Sequence, residues 1–294
     1  MSVIVSALSS DLVLLSFVRT QQDAITSNLQ LVAQGAARSV SDFFQDKFGA
    51  LETLANVSNP APGYQAQNTF NLENQLNIQP AFRRLAIFNK AGEQVAISSR
   101  LPSYNATPFQ DLITAEMQAQ LAAGTRAISS SYFDSPSGEP MVILGVPIKN
   151  TRGEVQGALF AELNLKSMWD LVNSLQVGET GVAYVIDRDG NLIAYRDTVR
   201  VLLRSNVTSF HWVNEFVNHR ANPPPNLLSL TTGIRDDTVL GTAVPLNLPD
   251  WAVVAELPWQ EAYRNVIGIA ATSLLILLTV ALLAGLAGFI WRDV

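Results

Sequence analysis

The chain contains no cysteine and only two histidines among its 294 residues. The lack of cysteine excludes a disulfide framework, thiol catalysis and most structural zinc sites. The two histidines, His211 and His219, have no partner pattern for a metal site or a catalytic triad. The net charge of -6 comes without any cluster of Lys or Arg, so we expect no nucleic-acid partner.

The sequence signatures of common enzymes are missing as well. There is no G-x-S-x-G, no H-E-x-x-H and no glycine-rich phosphate loop. The stretch 187–191 begins like a calcium loop, but its glycine comes too early and no acidic residue closes the loop at the twelfth position, so it predicts a hairpin turn. We therefore predict no catalytic residue, no metal site, no cofactor and no catalytic domain.

One long apolar run indicates a membrane protein. Residues 266–291 form 26 consecutive uncharged residues, mostly Leu, Ile, Val and Ala. A helix needs about 20 such residues to cross a bilayer, whereas an apolar run in a buried core helix, the alternative, usually ends after about 10–14. We predict a transmembrane helix over 266–291, with Trp291 and Arg292 at the membrane interface.

Residues 1–18 are a second candidate for a membrane helix. They are apolar apart from Asp11 and several serines. They lack the Lys or Arg with which a signal peptide begins. Two alternatives stay open, a complete first transmembrane helix and a clipped helix whose upstream part is missing. If both segments span, residues 20–264 lie on one side of the membrane. Only three residues follow the second segment, so we expect any output domain in an extension or a partner chain.

Residues 20–60 predict one long amphipathic stalk helix. Apolar residues recur there at spacings of three or four, interrupted only by Lys47. The predicted stripe consists of Ile25, Leu29, Val32, Ala36, Val40, Phe43, Lys47, Leu51 and Leu54. The helix is expected to end near Asn59 and Pro60.

An internal repeat follows the predicted stalk. Residues 86–97 align without a gap to residues 184–195, and each stretch predicts two strands joined by an Asx-x-x-Gly turn. Three later landmarks also recur, namely Leu144-Gly145 with Leu240-Gly241, Pro147-Ile148 with Pro245-Leu246, and Ala161-Glu162-Leu163 with Ala255-Glu256-Leu257. This order predicts two copies of one α+β module, at 61–175 and 176–264.

Each copy is expected to be an antiparallel sheet with helices on one face. The predicted strands are 85–88, 94–98, 141–148 and 155–163 in the first copy, and 183–187, 192–195, 239–245 and 251–256 in the second. The first copy carries an insertion, 101–131, with a helix at 108–123. A second helix, 165–175, is predicted to connect the two copies.

These residues resemble the double Cache sensor module of bacterial transmembrane receptors. The resemblance rests on a helix leaving the membrane, the hairpins, Ser131-Tyr132-Phe133-Asp134 with Gly138, Val146-Pro147-Ile148, Gly181 to Gly190 and a final membrane helix. It implies two stacked PAS-like domains on one long helix, outside the cytoplasm, in a chemoreceptor, sensor kinase or cyclase-type receptor. The implied partners are a small-molecule ligand, the membrane, a second copy in a homodimer, and a cytoplasmic output domain or protein.

The resemblance also suggests where a ligand would bind. Family members that bind amino acids have an Arg-x-Trp-Tyr stretch, a later Tyr and an Asp after the following strand. Tyr132 matches the later Tyr, Glu162 stands at the Asp position, and 108–110 occupies the place of the Arg-x-Trp-Tyr stretch, so that Arg100 or Arg126 would have to supply the arginine. The candidate ligand-binding residues are Arg100, Tyr104, Phe109, Tyr132, Asp134 and Glu162.

For each candidate, core packing or an exposed turn is the competing interpretation. Glu162 would favour a ligand that carries an amine or another cation, such as an amine or an amino-acid-like molecule. We therefore expect an extracytoplasmic small-molecule sensor in the cell membrane that passes ligand binding across the bilayer by helix displacement. The alternatives are a protein-interaction module on the membrane surface and a tethered extracytoplasmic hydrolase.

Overall fold

The computed structural model describes residues 2–100, 107–134, 137–218, 230–246, 248–264 and seven positions between 267 and 279, with the backbone alone for 2–23. Its helices are α1 (Ser2–Asn56), α2 (Gln65–Ile78), α3 (Phe109–Leu112), α4 (Ala115–Ala122), α5 (Lys166–Ser174), α6 (Thr198–Leu202), α7 (His211–Asn218) and α8 (Trp259–Ala262). Its strands are β1 (Phe82–Asn89), β2 (Gln94–Ser99), β3 (Ala127–Ile128), β4 (Tyr132–Phe133), β5 (Pro140–Lys149), β6 (Val155–Asn164), β7 (Val182–Ile186), β8 (Leu192–Ala194), β9 (Thr231–Thr232), β10 (Thr238–Pro245) and β11 (Ala252–Pro258).

Helix α1 is the predicted stalk, but it begins earlier than residue 20. It is continuous over 55 residues, which corresponds to a length of about 80 Å. Its buried stripe runs through Phe44 and Phe48, and not through Phe43 and Lys47 as predicted. The pair Phe43 and Lys47 has the same spacing as the pair Phe44 and Phe48, so spacing alone does not select the buried pair. Phe44 and Phe48 are both apolar and pack in the core with the sheets. Lys47 lies at the edge of the stripe, where its Nζ donates to Gln79 Oε1 at 2.9 Å.

The two sheets are antiparallel and have the same strand order. The first sheet runs β2-β1-β6-β5-β3, with β4 paired to β5, and the second runs β8-β7-β11-β10-β9. Mixed helix and antiparallel sheet, the predicted fold class, is therefore confirmed. Helix α2 was not predicted, because the prolines after Asn59 hid its start. The module limits 61–175 and 176–264 stay predictions.

Both repeat hairpins turn on a glycine with positive φ. Gly92 has φ +80° and Gly190 has φ +77°, the region that side chains other than glycine rarely adopt. In each turn the Asx side chain accepts backbone N–H groups: Asn89 Oδ1 from residues 91 and 93, and Asp187 Oδ1 from residues 189 and 191, all between 2.8 and 3.0 Å. The repeated Asx-x-x-Gly pattern therefore predicted these turns for the right physical reason.

One of the predicted repeat landmarks is wrong by two residues. Pro147 pairs with Ala158, and Pro245 pairs with Ala252, so the two prolines are equivalent. Counting from them, Gly145 is equivalent to Ala243 and not to Gly241, which pairs with Glu256. Strand pairing fixes the register over the whole ladder, and a shared dipeptide does not.

One hydrophobic core joins the stalk to both sheets. The face of the first sheet that meets α1 carries Leu85, Ile87, Leu159 and Ala161 in this core. The second sheet joins the same core, and the ring of Trp251 lies edge-on to Phe44 of α1 at 5.4 Å between centroids. The opposite face of the first sheet packs under α3 and α4, where Ala86, Phe88, Phe160 and Phe109 form a separate small core.

Most of the predicted membrane segment 266–291 lies outside the described residues. The other candidate, 1–18, falls in the N-terminal part of α1, of which the backbone is described. Within the described part of the chain, the structure contains no helix with the length and apolar character required to cross a membrane. Both membrane segments stay predictions.

Candidate functional site

A β-bulge at the start of β1 places two arginines on one carboxylate. Phe82 pairs with Leu163 and Arg84 pairs with Glu162, so that Arg83 is an extra residue between them. In a regular strand neighbouring side chains point to opposite faces, but at a bulge two residues oppose one and can share a face. Arg83 and Arg84 accordingly both reach Glu162 on the face covered by α3 and α4.

Glu162 is fully buried and receives two bidentate arginines. Arg83 donates from Nε to Oε2 at 2.9 Å and from Nη2 to Oε1 at 2.7 Å. Arg84 donates from Nε to Oε2 at 2.6 Å and from Nη2 to Oε1 at 2.9 Å. The Tyr132 hydroxyl donates a fifth, short hydrogen bond to Oε1. Both carboxylate oxygens are therefore saturated by the chain's own donors.

Asp134 completes this group by pairing with the outer side of Arg83. Arg83 Nη2 donates to Asp134 Oδ1 at 2.8 Å, while Nη1 lies 2.7 Å from Oδ2 without hydrogen-bond geometry. Asp134 Oδ2 also accepts from the backbone N–H and the hydroxyl of Ser137, at 3.1 and 2.8 Å. We refer to Arg83, Arg84, Tyr132, Asp134 and Glu162 as the charge cluster. With two guanidinium groups and two carboxylates, its net charge is zero.

The pKa values follow from this pairing. The hydrogen bond from Arg83 lowers the pKa of Asp134 to about 2. Burial alone would raise the pKa of Glu162, but the hydrogen bonds from Arg83 and Arg84 outweigh it and hold the pKa below its usual value. Burial, and then the charge of Glu162, raise the pKa of the Tyr132 hydroxyl. At neutral pH both carboxylates of the charge cluster are ionised and the tyrosine is neutral.

An aromatic ring and a backbone carbonyl cover the cluster. The Arg84 guanidinium lies over the ring of Phe109, 4.8 Å from its centroid. Arg84 Nη1 also donates to the carbonyl of Thr107 at 2.8 Å. Phe109, at the start of α3, is itself buried in the small core between the helices and the sheet. The charge cluster is thus closed from the side of the insertion.

An open cleft lies on the same sheet face at the opposite end of the strands. It has a volume of about 1000 Å³ and shares Phe88, Phe160 and Leu121 with the small core under α3 and α4. We call it the turn-end cleft, because residues of the turns 89–92 and 153–154 form one wall. Arg84 and Phe88 are four strand residues apart, about 13 Å. The small core therefore separates the charge cluster from the cleft.

The second sheet has a glutamate at the equivalent position, with different partners. Glu256 is 1% exposed. One of its oxygens accepts from the Tyr184 hydroxyl at 2.7 Å and the other from the Ile234 N–H at 2.8 Å. Burial raises the pKa of Glu256, although both hydrogen bonds oppose the rise. The residue that pairs with Glu256 on the neighbouring strand is Val182, where the first sheet has Arg84.

The structure brings four of the six predicted site residues together. Tyr132, Asp134 and Glu162 belong to the charge cluster, and Phe109 covers it. Arg100 adjoins the cluster through its backbone N–H, which donates to the Arg83 carbonyl at 3.0 Å, but its side chain donates to the Phe82 and Gln79 carbonyls, at 2.9 and 3.4 Å. Tyr104 lies outside the described residues. The alternative arginine, Arg126, is bidentate with Glu52 of α1 at 2.6 and 2.9 Å.

Arg83 and Arg84 were missed by the sequence reasoning. The predicted strand began at Leu85, which left both arginines in the preceding loop. A usable signal was present, because two adjacent arginines directly before an apolar strand require a buried counter-charge if that strand is buried throughout. The one acidic residue within the apolar run 158–163 is Glu162. Among the residues that the structure describes, no group of three or more His, Asp or Glu side chains could hold a metal ion.

The fold is an α+β module of two antiparallel sheets packed on one long helix. The family described as Cache domain matches residues 17–266, so the chain belongs to the Cache domain family. It is also similar to the methyl-accepting chemotaxis protein McpA of Pseudomonas putida, with 21% identity over 281 residues. That match covers 92% of this chain and 41% of the relative, so the chain spans about two fifths of the length of that protein.

Solved structures of similar fold are ligand-binding domains of chemoreceptors. The domain of CtaA from Pseudomonas fluorescens, in complex with L-isoleucine, has a TM-score of 0.61 at 16% identity and covers 84% of this chain and 97% of its own. Tlp3 from Campylobacter jejuni, with L-valine, has a TM-score of 0.62 at 12% identity, covering 83% and 96%. PctC from Pseudomonas aeruginosa, with GABA, has a TM-score of 0.56 at 18% identity, covering 79% and 99%. The predicted resemblance to the double Cache module is thereby confirmed.

Proposed function

We propose that this chain is the ligand-sensing region of a transmembrane chemoreceptor, with the first sheet distal to the membrane and outside the cytoplasm. The observation that carries the proposal is the buried charge cluster, closed under α3 and α4. Burial removes four ionised groups from water, which costs desolvation free energy. Well-packed apolar residues can often replace a buried ion pair without loss of stability, so the fold alone does not require these charges. Ion pairs that exchange partners with a ligand would account for their presence.

The net charge of the cluster defines the ligand class. A bare cation or a bare anion would leave one buried charge unpaired, which is strongly unfavourable. A zwitterion placed between Arg83 or Arg84 and Glu162 supplies an ammonium to the carboxylate and a carboxylate to the displaced guanidinium, so that all charges stay paired. We propose an amino-acid-like ligand, which is also the kind of molecule bound by CtaA and Tlp3.

This proposal changes the expected role of Glu162. The sequence suggested a free carboxylate that attracts an amine, whereas in the structure both of its oxygens are already occupied. The ligand therefore has to compete with an arginine of the chain itself. Tyr132, Asp134 and Phe109 remain candidate contacts, because each touches a group that would exchange partners.

A ligand screen tests the binding site. The purified chain is heated with each protein amino acid and with GABA, and the midpoint of thermal unfolding is compared with and without ligand. At a concentration 100-fold above Kd, a bound ligand stabilises by about 2.7 kcal/mol, or about 5–10 °C for a chain of this size. The variant Glu162→Gln should lose this shift, while Glu52→Gln, which weakens the partly exposed pair with Arg126, should keep it.

Two outcomes would contradict the assignment. The first is that none of these molecules shifts the unfolding midpoint. The second is a shift that survives Glu162→Gln but disappears in Glu256→Gln, which would place the site in the second sheet.

The exit of the signal is proposed at the start of the C-terminal helix. Glu261 of α8 accepts the backbone N–H groups of Glu179 and Thr180 at 2.5 and 2.8 Å, and Arg264 donates to Glu179 at 3.0 Å. We call this group the C-terminal clasp. It ties the entry of the second sheet to residues that lead into the predicted membrane segment 266–291. A ligand-driven shift of the second sheet would move that segment through the clasp.

A further inference from the structure

Residues 131–134 contact both halves of the molecule in alternation. Tyr132 and Asp134 point into the charge cluster, where they bond Glu162 and Arg83. Ser131 and Phe133 have their contacts on the other side, towards the second sheet. The alternation follows from the extended backbone, since Tyr132 and Phe133 form β4 and pair with Met141 and Pro140 of β5. The same short strand is therefore part of the candidate site and part of the contact with the second sheet.

Two side chains of residues 131–134, Ser131 and Phe133, contact the part of the chain that forms the second sheet and its turns. The Arg204 guanidinium lies over the ring of Phe133, 4.7 Å from its centroid. The Ser131 hydroxyl lies 3.5 Å from Asp187 Oδ2, at the turn of the β7–β8 hairpin. Phe133 also packs on the core shared by the stalk and both sheets. A cation over an aromatic ring is attractive at this distance, because the ring face carries negative charge density.

The backbone of Arg204 is held in a conformation that its residue type disfavours. Its φ is +53°, in the left-handed region where a side chain other than glycine is strained. Arg204 occupies the left-handed position just after the end of α6, where the N–H groups of Arg204 and Ser205 donate to the carbonyls of Val201 and Arg200, at 2.9 and 3.0 Å. The residue that ends α6 is thus also the one that contacts Phe133.

We propose that Arg204 is a positioning residue for the charge cluster, acting through Phe133 on Tyr132 and Asp134. Residues 131–134 then transmit the state of the cluster to the second sheet. The inference rests on the proposed function for the identity of the signal. Because coupling between two sites is reciprocal, a change at Arg204 must alter the cluster and a change at the cluster must alter the surroundings of Arg204.

Amide hydrogen exchange of the full chain tests this coupling without a ligand. Arg204→Ala should speed exchange at residues 131–134 by about two- to fivefold, the factor expected for loss of one exposed to partly buried cation–π contact. The matched control is Arg188→Ala, which removes a similar contact, 4.6 Å over Phe216, that lies wholly on the side of the second sheet. Exchange at 131–134 should be unchanged in the control, and Arg204→Lys, which keeps a cation over the ring, should restore most of the protection.

The reverse direction is tested at the charge cluster. Asp134→Asn, or the milder Tyr132→Phe if the first variant fails to fold, should speed exchange at residues 198–207. This effect should be lost when Arg204→Ala is also present, and kept when Arg188→Ala is present instead. Equal exchange at 131–134 in Arg204→Ala and the parent, or an effect at 198–207 that persists without Arg204, would overturn the proposal. Absence of ligand binding with coupling intact would count against the proposed function alone.

Discussion

Glu162 and Glu256 occupy the same register position in two sheets of identical strand order, yet they are stabilised in opposite ways. Glu162 is held ionised by two bidentate arginines, whereas Glu256 accepts from a tyrosine hydroxyl and a backbone amide. The difference arises on the neighbouring strand, where Arg84 pairs with Glu162 and Val182 pairs with Glu256. One strand framework therefore holds a charged carboxylate in the first copy and one that resists ionisation in the second.

The raised pKa of Glu256 predicts a loss of stability towards alkaline pH. The protonated form is favoured in the folded state, so this contribution is fully present below the ordinary pKa of 4.5 and is lost as the pH rises through the raised value. Glu256→Gln should remove this loss. The unfolding midpoints of the variant and the parent are measured from pH 4 to 8. The midpoint of the variant, relative to that of the parent, should rise with pH. A constant difference across this range would show that the pKa of Glu256 is not raised in the folded state.

Asp134 should give the opposite dependence on the acid side. Its pKa falls from 3.8 to about 2 in the folded chain, which corresponds to about 2 kcal/mol of stability. This contribution is present above pH 3.8 and is lost as the pH falls through 2. Asp134→Asn should therefore be less stable than the parent at pH 6. Its free energy of unfolding, measured with urea at pH 6 and near pH 2, should fall less on acidification than that of the parent.

The control for Asp134 is Asp46→Asn on α1, because the Asp46 side chain is 65% exposed and its ion pair with Lys47, 2.7 Å long, lies at the surface, where such pairs add little stability. This variant should differ little from the parent in stability. If Asp134→Asn also follows the parent down to pH 2, the ion pair with Arg83 contributes nothing to the fold.

A side chain added at Gly178 should displace Glu261 from the C-terminal clasp. Its φ is +64°, and an added Cβ would be too close to Glu261 Oε1 and Leu257. Gly178→Ala should open the clasp, which would appear as faster amide exchange at Glu179 and Thr180. The matched control is Gly92→Ala, where φ is +80° but nothing lies within 4 Å of the added Cβ. Both variants carry the backbone strain, about 1 kcal/mol or more, so only the clash differs. Equal exchange at 179–180 in the two variants would exclude the clasp as a constraint.

The proposed membrane crossing can be tested with reporters. A reporter inserted at Pro223 should face outward, and one fused after Val294 should face the cytoplasm, because 266–291 is long and apolar enough to cross the bilayer once. The assay is the activity of a compartment-specific reporter enzyme in intact cells. Activity of both reporters on the same side would rule out a single crossing between the two positions.

Most of the fold could be predicted from local sequence patterns. The turns at Gly92 and Gly190 were predicted, because an Asx side chain and a glycine within four residues determine them. The stalk was predicted in kind, but Phe44 and Phe48 could not be preferred over Phe43 and Lys47 until the packing partner was known. Helical periodicity constrains the spacing of a stripe and does not select its partner.

The candidate site depended on features that are not local. Tyr132 and Glu162 were expected at a ligand site because of the family resemblance, Asp134 was expected as a further polar group there, and the structure places the three in one cluster. Arg83 and Arg84 could not be added from the sequence, because a bulge opposite Glu162 is set by pairing between strands that are 79 and 78 residues apart at these positions. The misaligned Gly145 and Gly241 have the same cause, since cross-strand register cannot be obtained from either strand alone.

The stalk helix supplies part of the interior of both sheets. Phe48 and Leu51 are buried in the core together with the first sheet, and Phe44 contacts Trp251 of the second. If the chain were cut between the sheets, the second sheet would lose the stalk and expose its apolar face. The first half would keep the stalk but expose the side chains, such as Phe44, that the second sheet had covered. Neither half has the closed interior of an autonomous folding unit. The size of the cooperative unit is set by one helix, and the two sheets should melt together in a single calorimetric transition.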